Sequence, residues 1–170
     1  VLLNHEGYEV TTYRIDGKYE DSRHPKEVTF TRNLKEDLLR RDFTINAMAY
    51  NPEQGVSDIF GGQEDLEKGI IRCVGEASER FDEDALRILR AVRFAAQLDF
   101  VIEDQTREAM RDQAKFLKDI SVERICTELT KMIVSKHPER LEEAYELGLT
   151  NPGVTVHMPG GELQVEIQDD

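Results

Sequence analysis

The chain has 170 residues, 39% of them apolar and 34% charged, with a formal net charge of −13. That length and apolar share support a folded core, in one domain or two small ones. The acidity excludes a general nucleic-acid-binding surface, so any contact with phosphate must use a local basic patch, and no apolar run is long enough to span a membrane.

Cys73 and Cys126 stand far apart, without a CxxC partner. Two buried free thiols in a reducing cytosol are expected, hence a cytoplasmic protein. The four histidines are scattered, so no His/Cys metal cluster is predicted.

In chain order, residues 1–16 read as a hairpin. Val1-Leu2-Leu3 and the long run from Tyr8 to Ile15 flank the polar turn Asn4-His5-Glu6-Gly7. An opening directly in a strand suggests that the natural protein starts earlier. Residues 17–26 are polar and are expected to form a mobile loop. Val28-Thr29-Phe30 is a short strand. Asn33 with Glu36 matches a helix capping box, and residues 34–41 continue as a helix. Asn51-Pro52-Glu53-Gln54-Gly55 turns the chain between two further strands, and Gly61-Gly62 then breaks the pattern. Residues 70–74 are another short strand. From Glu76 onward, helical apolar spacing fills residues 83–98, 104–115, 122–134 and 139–147. Ser121 is a plausible cap for the third of these. The final twenty residues alternate around Pro159-Gly160-Gly161, a β-hairpin signature.

The segment from Glu83 to Phe94 is the most informative. Arg87, Arg90 and Arg93 follow one another at steps of three, and such a row drifts only about 60° per step around a helix. They are expected to form one slanting ridge of positive charge, while Ile88, Leu89, Val92 and Ala95 face a core. Asp84 stands at the N-terminal end of the ridge. The arginines can hold a triphosphate, and the Asp84–Arg87 pair can read a base. An ionised Asp only accepts hydrogen bonds and an Arg only donates them. Cytosine and adenine each offer an amino donor beside a ring-nitrogen acceptor and satisfy both groups. Guanine and uracil offer the reverse and leave desolvated groups unpaired. The same spacing also suits a plain surface ion pair worth a few tenths of a kcal/mol.

A second segment, Arg40-Arg41-Asp42-Phe43-Thr44-Ile45-Asn46-Ala47, is dense in polar chemistry. Arginine forks suit phosphate oxygens, and Asp42, Thr44 and Asn46 can bond ribose hydroxyls. A helix end with ordinary capping residues has the same composition.

RRDFTINAMAY, SDIFGG and RFDEDALRILRAVRF, in this order and at this separation, resemble the class II tRNA nucleotidyltransferases. These are the CCA-adding enzymes, with bacterial poly(A) polymerases as close relatives. The resemblance covers about residues 1–150. It implies an α+β fold, with part of a polymerase-β-like head (a mixed sheet with helices) in residues 1–62 and a helical neck in residues 63–150. Residues 151–170 form a hairpin-like tail that does not follow the family and weakly resembles a hairpin of diaminopimelate epimerases. A chimeric reading frame or a lineage-specific tail would account for it.

The resemblance further implies roles. Asp84 and Arg87 are the amino-acid template for the incoming base, with Arg90 and Arg93 continuing toward the nucleotide. Arg41 binds nucleotide and Asp42 contacts ribose. Glu9 is an additional acidic residue near the catalytic metals. Gly61 and Gly62 are a hinge, and Arg23 lies in a flexible loop that helps switch between C and A. The implied activity is addition of CCA to the tRNA 3′ end from CTP and ATP with Mg²⁺. The two metal-binding aspartates of the family do not stand in this chain, and they are expected to precede Val1. Asp82-Glu83-Asp84 has the DxD letters but lies in the neck motif. The chain is therefore expected to be an internal fragment, inactive alone, that meets tRNA through further domains. A poly(A) polymerase, a CC- or A-adding enzyme, and a non-catalytic nucleotide- or RNA-binding module remain as alternatives.

Overall fold

Asn4 and His5 adopt positive φ angles of 52° and 67°. This reverses the chain within two residues, so β1 (Leu2–Leu3) pairs antiparallel with β2 (Glu6–Gly7). The hairpin is therefore shorter than expected. Tyr8 still exchanges backbone hydrogen bonds with Val1 and Tyr13 O accepts from Thr31 N, but the residues between them lie in no described strand, and Val10 is left 75% exposed. The structure, a computed structural model, describes residues 1–17 and 28–147, together with the two strands of the tail.

β3 (Arg14–Asp16) pairs antiparallel with β4 (Val28–Phe30). Helix α1 (Leu34–Leu39) opens on Asn33, whose side chain accepts from Lys35 N at 3.0 Å. The reciprocal arm of the expected capping box does not form, since Glu36 is engaged by Thr31 Oγ1 at 2.5 Å. A 3₁₀ turn (Thr44–Asn46) leads into the antiparallel hairpin of β5 (Met48–Asn51) and β6 (Gly55–Asp58). Helix α2 (Gly62–Lys68) follows, where the sequence suggested only a break. Its opening signal is Asp58, whose carboxylate accepts from both Gly62 N and Gln63 N at 2.8 Å. These backbone N–H groups outweigh the effect of burial and hold its carboxyl below the ordinary range.

β7 (Ile70–Ile71) precedes α3 (Ala77–Glu83) and α4 (Leu86–Leu98), and pairs in parallel with β8 (Val101–Ile102). α5 (Asp104–Gln113) runs into a 3₁₀ turn (Ala114–Asp119). α6 (Val122–Ile133) follows, then a 3₁₀ turn (Pro138–Arg140) and α7 (Leu141–Glu146). In the tail, β9 (Val154–His157) pairs antiparallel with β10 (Gln164–Ile167), the expected hairpin. Among the described residues the strands pair two by two, not as one continuous mixed sheet.

One expected helix is two. Asp84 has extended backbone (φ −154°, ψ 103°) and separates α3 from α4. Its carboxylate accepts from Leu86 N at 3.1 Å, the bond of an N-capping residue, which starts a fresh helix.

α4 is the central element. Ile88, Leu89, Val92 and Ala95 are buried as the periodicity predicted, against Phe81, Met110 and Met132. Phe43 and Ile71 join the same core, so packing runs unbroken across the expected head–neck boundary at residues 62–63. Among the described residues no helix is long and apolar enough to cross a membrane.

Candidate functional site

The last carbonyls of a helix need donors, and α1 receives its donors from the neck. Arg80 Nη1 donates to Leu39 O at 2.6 Å, and Arg87 Nη2 donates to Arg40 O at 3.0 Å. This clasp brings the segment after α1 against the start of α4, with a cleft of about 1100 Å³ beside it. Six arginines line the cleft: Arg14, Arg40, Arg41, Arg87, Arg90 and Arg124. The acids Glu9, Asp42 and Asp84 line it too. A strongly acidic chain thus gathers positive charge in one concavity, where a low-dielectric wall strengthens it.

The cleft's arginines are oriented by carboxylates. Buried Asp37 accepts from Arg40 at 2.8 Å and from Arg14 N at 3.1 Å. Burial raises its carboxyl pKa, but these bonds and the charges of Arg40 and Arg41 outweigh burial and hold it below the usual range. Arg41 is the most open of the group, its side chain 44% exposed, with a 3.7 Å contact to Asp37. Asp42 is buried. Its Oδ1 accepts from Phe43 N and Asn46 Nδ2, and its Oδ2 accepts from Arg90 Nε at 2.8 Å and Nη2 at 2.5 Å.

Asp84 and Arg87 both line the cleft, as the sequence suggested, and Arg87 N donates to Asp84 O at 3.0 Å, while the two side chains bond to other partners. Asp84 Oδ2 accepts from Arg124 Nη2 at 2.6 Å. Arg87 donates to Glu83 at 2.6 Å, to Arg80 O at 3.1 Å and to Arg40 O. These three bonds engage Nη1 and Nη2 and fix a guanidinium whose side chain is 11% exposed.

The arginine ridge divides after Arg90. Arg93 does not line the cleft. It is buried, donates to Glu128 at 2.5 Å and Gln97 at 2.7 Å, and stacks 3.9 Å from the Phe94 ring centroid. Glu9 is exposed at the cleft's edge. Arg23 lies outside the described residues. Gly61 and Gly62 join β6 to α2. Gly61 has φ 76°, and a Cβ on Gly62 would stand 2.3 Å from Thr44 O. A second crevice of about 690 Å³, between α3 and α5, takes one of the expected site residues, Thr44, whose hydroxyl donates to Asp65 at 2.7 Å.

Sequence reasoning missed Arg14, Arg80 and Arg124, while Arg40 stood in the second segment it singled out. Arg124 had a legible signal. A cation in the first turn of a helix opposes the helix dipole, and its presence there asks for an acid partner.

The profile described as "Poly A polymerase head domain" matches residues 1–72. That described as "Probable RNA and SrmB- binding site of polymerase A" matches residues 99–153. The CCA-adding enzyme of Pediococcus pentosaceus is 56% identical over 140 residues, which is 82% of this chain and 35% of that enzyme. The chain belongs to the CCA-adding enzyme and poly(A) polymerase family.

The CCA-adding enzyme of Geobacillus kaustophilus is 46% identical over 169 residues, covering 98% of this chain and 41% of that one, so the match runs into the tail. The crystal structure of the Bacillus stearothermophilus CCA-adding enzyme in complex with CTP superposes with a TM-score of 0.80 at 42% identity. It covers 88% of this chain and 36% of that one. The chain thus spans a third to two fifths of the family members it matches. Among the described residues, no group of three or more His, Cys, Asp or Glu side chains could hold a metal ion. In the cleft, Asp42 is taken by Arg90 and Asp84 by Arg124. These residues do not fit a Mg²⁺ site.

Proposed function

We propose that this chain supplies the nucleotide-selecting cleft of a tRNA nucleotidyltransferase that adds CCA to tRNA 3′ ends from CTP and ATP. The observation that carries this reading is the placement of Asp84 and Arg87 on the wall of an arginine-lined cleft, an acceptor beside a donor. Arg41, the most open guanidinium, meets the triphosphate together with the face of Arg90 turned to the cleft. Asp42 holds Arg90 in place, and ribose hydroxyls meet the polar groups around it. Asp84 accepts from the exocyclic amino group of cytosine or adenine while Arg87 donates to the neighbouring ring nitrogen. Uracil and guanine set donor against donor and acceptor against acceptor, a mismatch that leaves buried groups unpaired. Glu9 serves at the cleft's edge, and Gly61-Gly62 serves as the pivot of α2. The Mg²⁺ chemistry of the reaction is assigned to no residue of this chain. The relatives solved with CTP, with ATP and with tRNA support the same reading.

The test uses a full-length protein in which this chain replaces the matched segment of the G. kaustophilus enzyme. Incubated with tRNA lacking its terminal residues, it is expected to rebuild a CCA end from CTP and ATP. An A tract would instead assign the poly(A) polymerase activity, and no extension would overturn the reading. In the same protein, Arg87→Ala is expected to let UTP and GTP compete. Arg41→Ala is expected to raise KM for every nucleotide alike.

A further inference from the structure

Helix α6 sends one side chain to the cleft, Arg124. The helix does not need it for anchorage. Leu129 and Met132 are buried, and Ile125 and Ile133 pack on the same core. The Arg124 side chain itself stays 22% exposed. One turn further on, Glu128 takes Arg93 of α4. The two ion pairs between this helix and the segment of Asp84 and Arg93 have opposite polarity, so sliding α6 along α4 would break both.

Asp84 needs an external constraint. It sits in extended backbone between two helices, and the terminal torsion of an aspartate is broad, so its carboxylate plane is not set by its own rotamer. Two tethers set it: Leu86 N on Oδ1 at 3.1 Å and Arg124 Nη2 on Oδ2 at 2.6 Å. The first comes with the helix start. The second is charge-assisted, and it comes from a helix outside both sequence motifs.

We propose that Arg124 is a positioning residue for base selection. It fixes the Asp84 carboxylate so that the remaining lone pairs meet the amino group of the incoming base. This rests on the nucleotide-selecting reading given above.

The experiment compares Arg124→Met, Arg124→Lys, Asp84→Asn and the Met–Asn double variant in the full-length protein described above, with kcat/KM measured for CTP, ATP, UTP and GTP. Arg124→Met is expected to erode the preference for CTP and ATP by about tenfold to a hundredfold, the scale of a displaced reacting group. Arg124→Lys is expected to recover part of that loss. In the Asp84→Asn background, Arg124→Met should change selection little, because its effect passes through Asp84. A purely structural role would lower the melting temperature and leave the selection ratio unmoved. That result overturns the proposal, and so does an additive double variant, which would mean that Arg124 touches nucleotide by itself. Should Arg124→Met not fold, Arg124→Lys must still show a weakened preference at an unchanged melting temperature, or the proposal fails. An unsubstituted protein that extends no tRNA sinks the functional reading first. Normal extension with altered selection in Asp84→Asn, but none in Arg124→Met, sinks the Arg124 assignment alone.

Discussion

Asp37 is the residue that gathers three of the cleft's arginines. Its carboxylate holds the backbone N–H of Arg14 and the side chain of Arg40, and Arg41 stands close by. Asp37→Ala leaves these donors without their acceptor and is expected to cost about 1–3 kcal/mol of stability, measured by urea denaturation. The pH dependence has a definite sign. The folded carboxyl titrates below its ordinary value of 3.8, so the unfolded state takes up its proton first as pH falls. The stabilisation is complete above about pH 5 and drains away as pH drops through the folded value. Asp37→Asn should remove that part of the acid sensitivity. Cys73 gives a second check at this scale. Burial pushes its thiol up to about 12, so a thiolate hardly forms near neutral pH. Iodoacetamide is expected to modify half-buried Cys126 first and Cys73 only under denaturing conditions. Equal labelling of both in the folded chain would contradict the packing. The placement of Asp84 and Arg87 on one cleft was readable from their spacing in the sequence. Their partners were not, because Arg124 and Asp84 lie 40 positions apart, and a cation in a helix's first turn asks for an acid without saying which one.

At the scale of elements, helix periodicity was legible where apolar side chains repeat, and α4, α5 and α6 fall within a few residues of their expected spans. The junctions were less so. A single helix over residues 83–98 satisfies the apolar pattern, yet Asp84 ends one helix and caps the next, since its side chain competes locally for backbone N–H groups. α2 was missed because two glycines argue against a helix. Its start depends instead on Asp58 and on close approach to the Thr44–Asn46 turn. That approach yields a prediction. A Cβ on Gly62 meets backbone, 2.3 Å from Thr44 O, and no side chain can rotate away to relieve it. Gly62→Ala is expected to destabilise the chain by about 1–3 kcal/mol, with loss of hydrogen-exchange protection concentrated in α2 and the β5–β6 hairpin. The cost at Gly61 has another origin. Open space surrounds it, but its φ of 76° is strained for any residue with a Cβ, so Gly61→Ala should cost about 1–2 kcal/mol.

At the scale of the whole molecule, the sequence suggested a head and a neck meeting near residue 62, and the packing joins them more closely than that. Phe43 belongs to the head segment by position. It is fully buried in the neck core, edge-on to Phe94 at 5.8 Å, and its strand bridge reaches Cys73. The polar clasps run in parallel with this contact: Arg80 and Arg87 on the end of α1, and Arg90 on Asp42. Apolar and charged links therefore cross the same boundary, and each core takes a residue from the other side, Phe43 in the larger and Val74 in the smaller. This predicts one cooperative unfolding transition for residues 28–147. Phe43→Ala removes a whole ring from that shared core and is expected to cost about 3–5 kcal/mol. Hydrogen exchange under increasing denaturant would show protection of the β5–β6 hairpin and of α4 and α6 falling together, in the parent chain and again, at lower denaturant, in the variant. Two separate steps, with the variant moving only one, would mean that the cleft sits between independent units. Its arginines would then owe their arrangement to the local clasps alone.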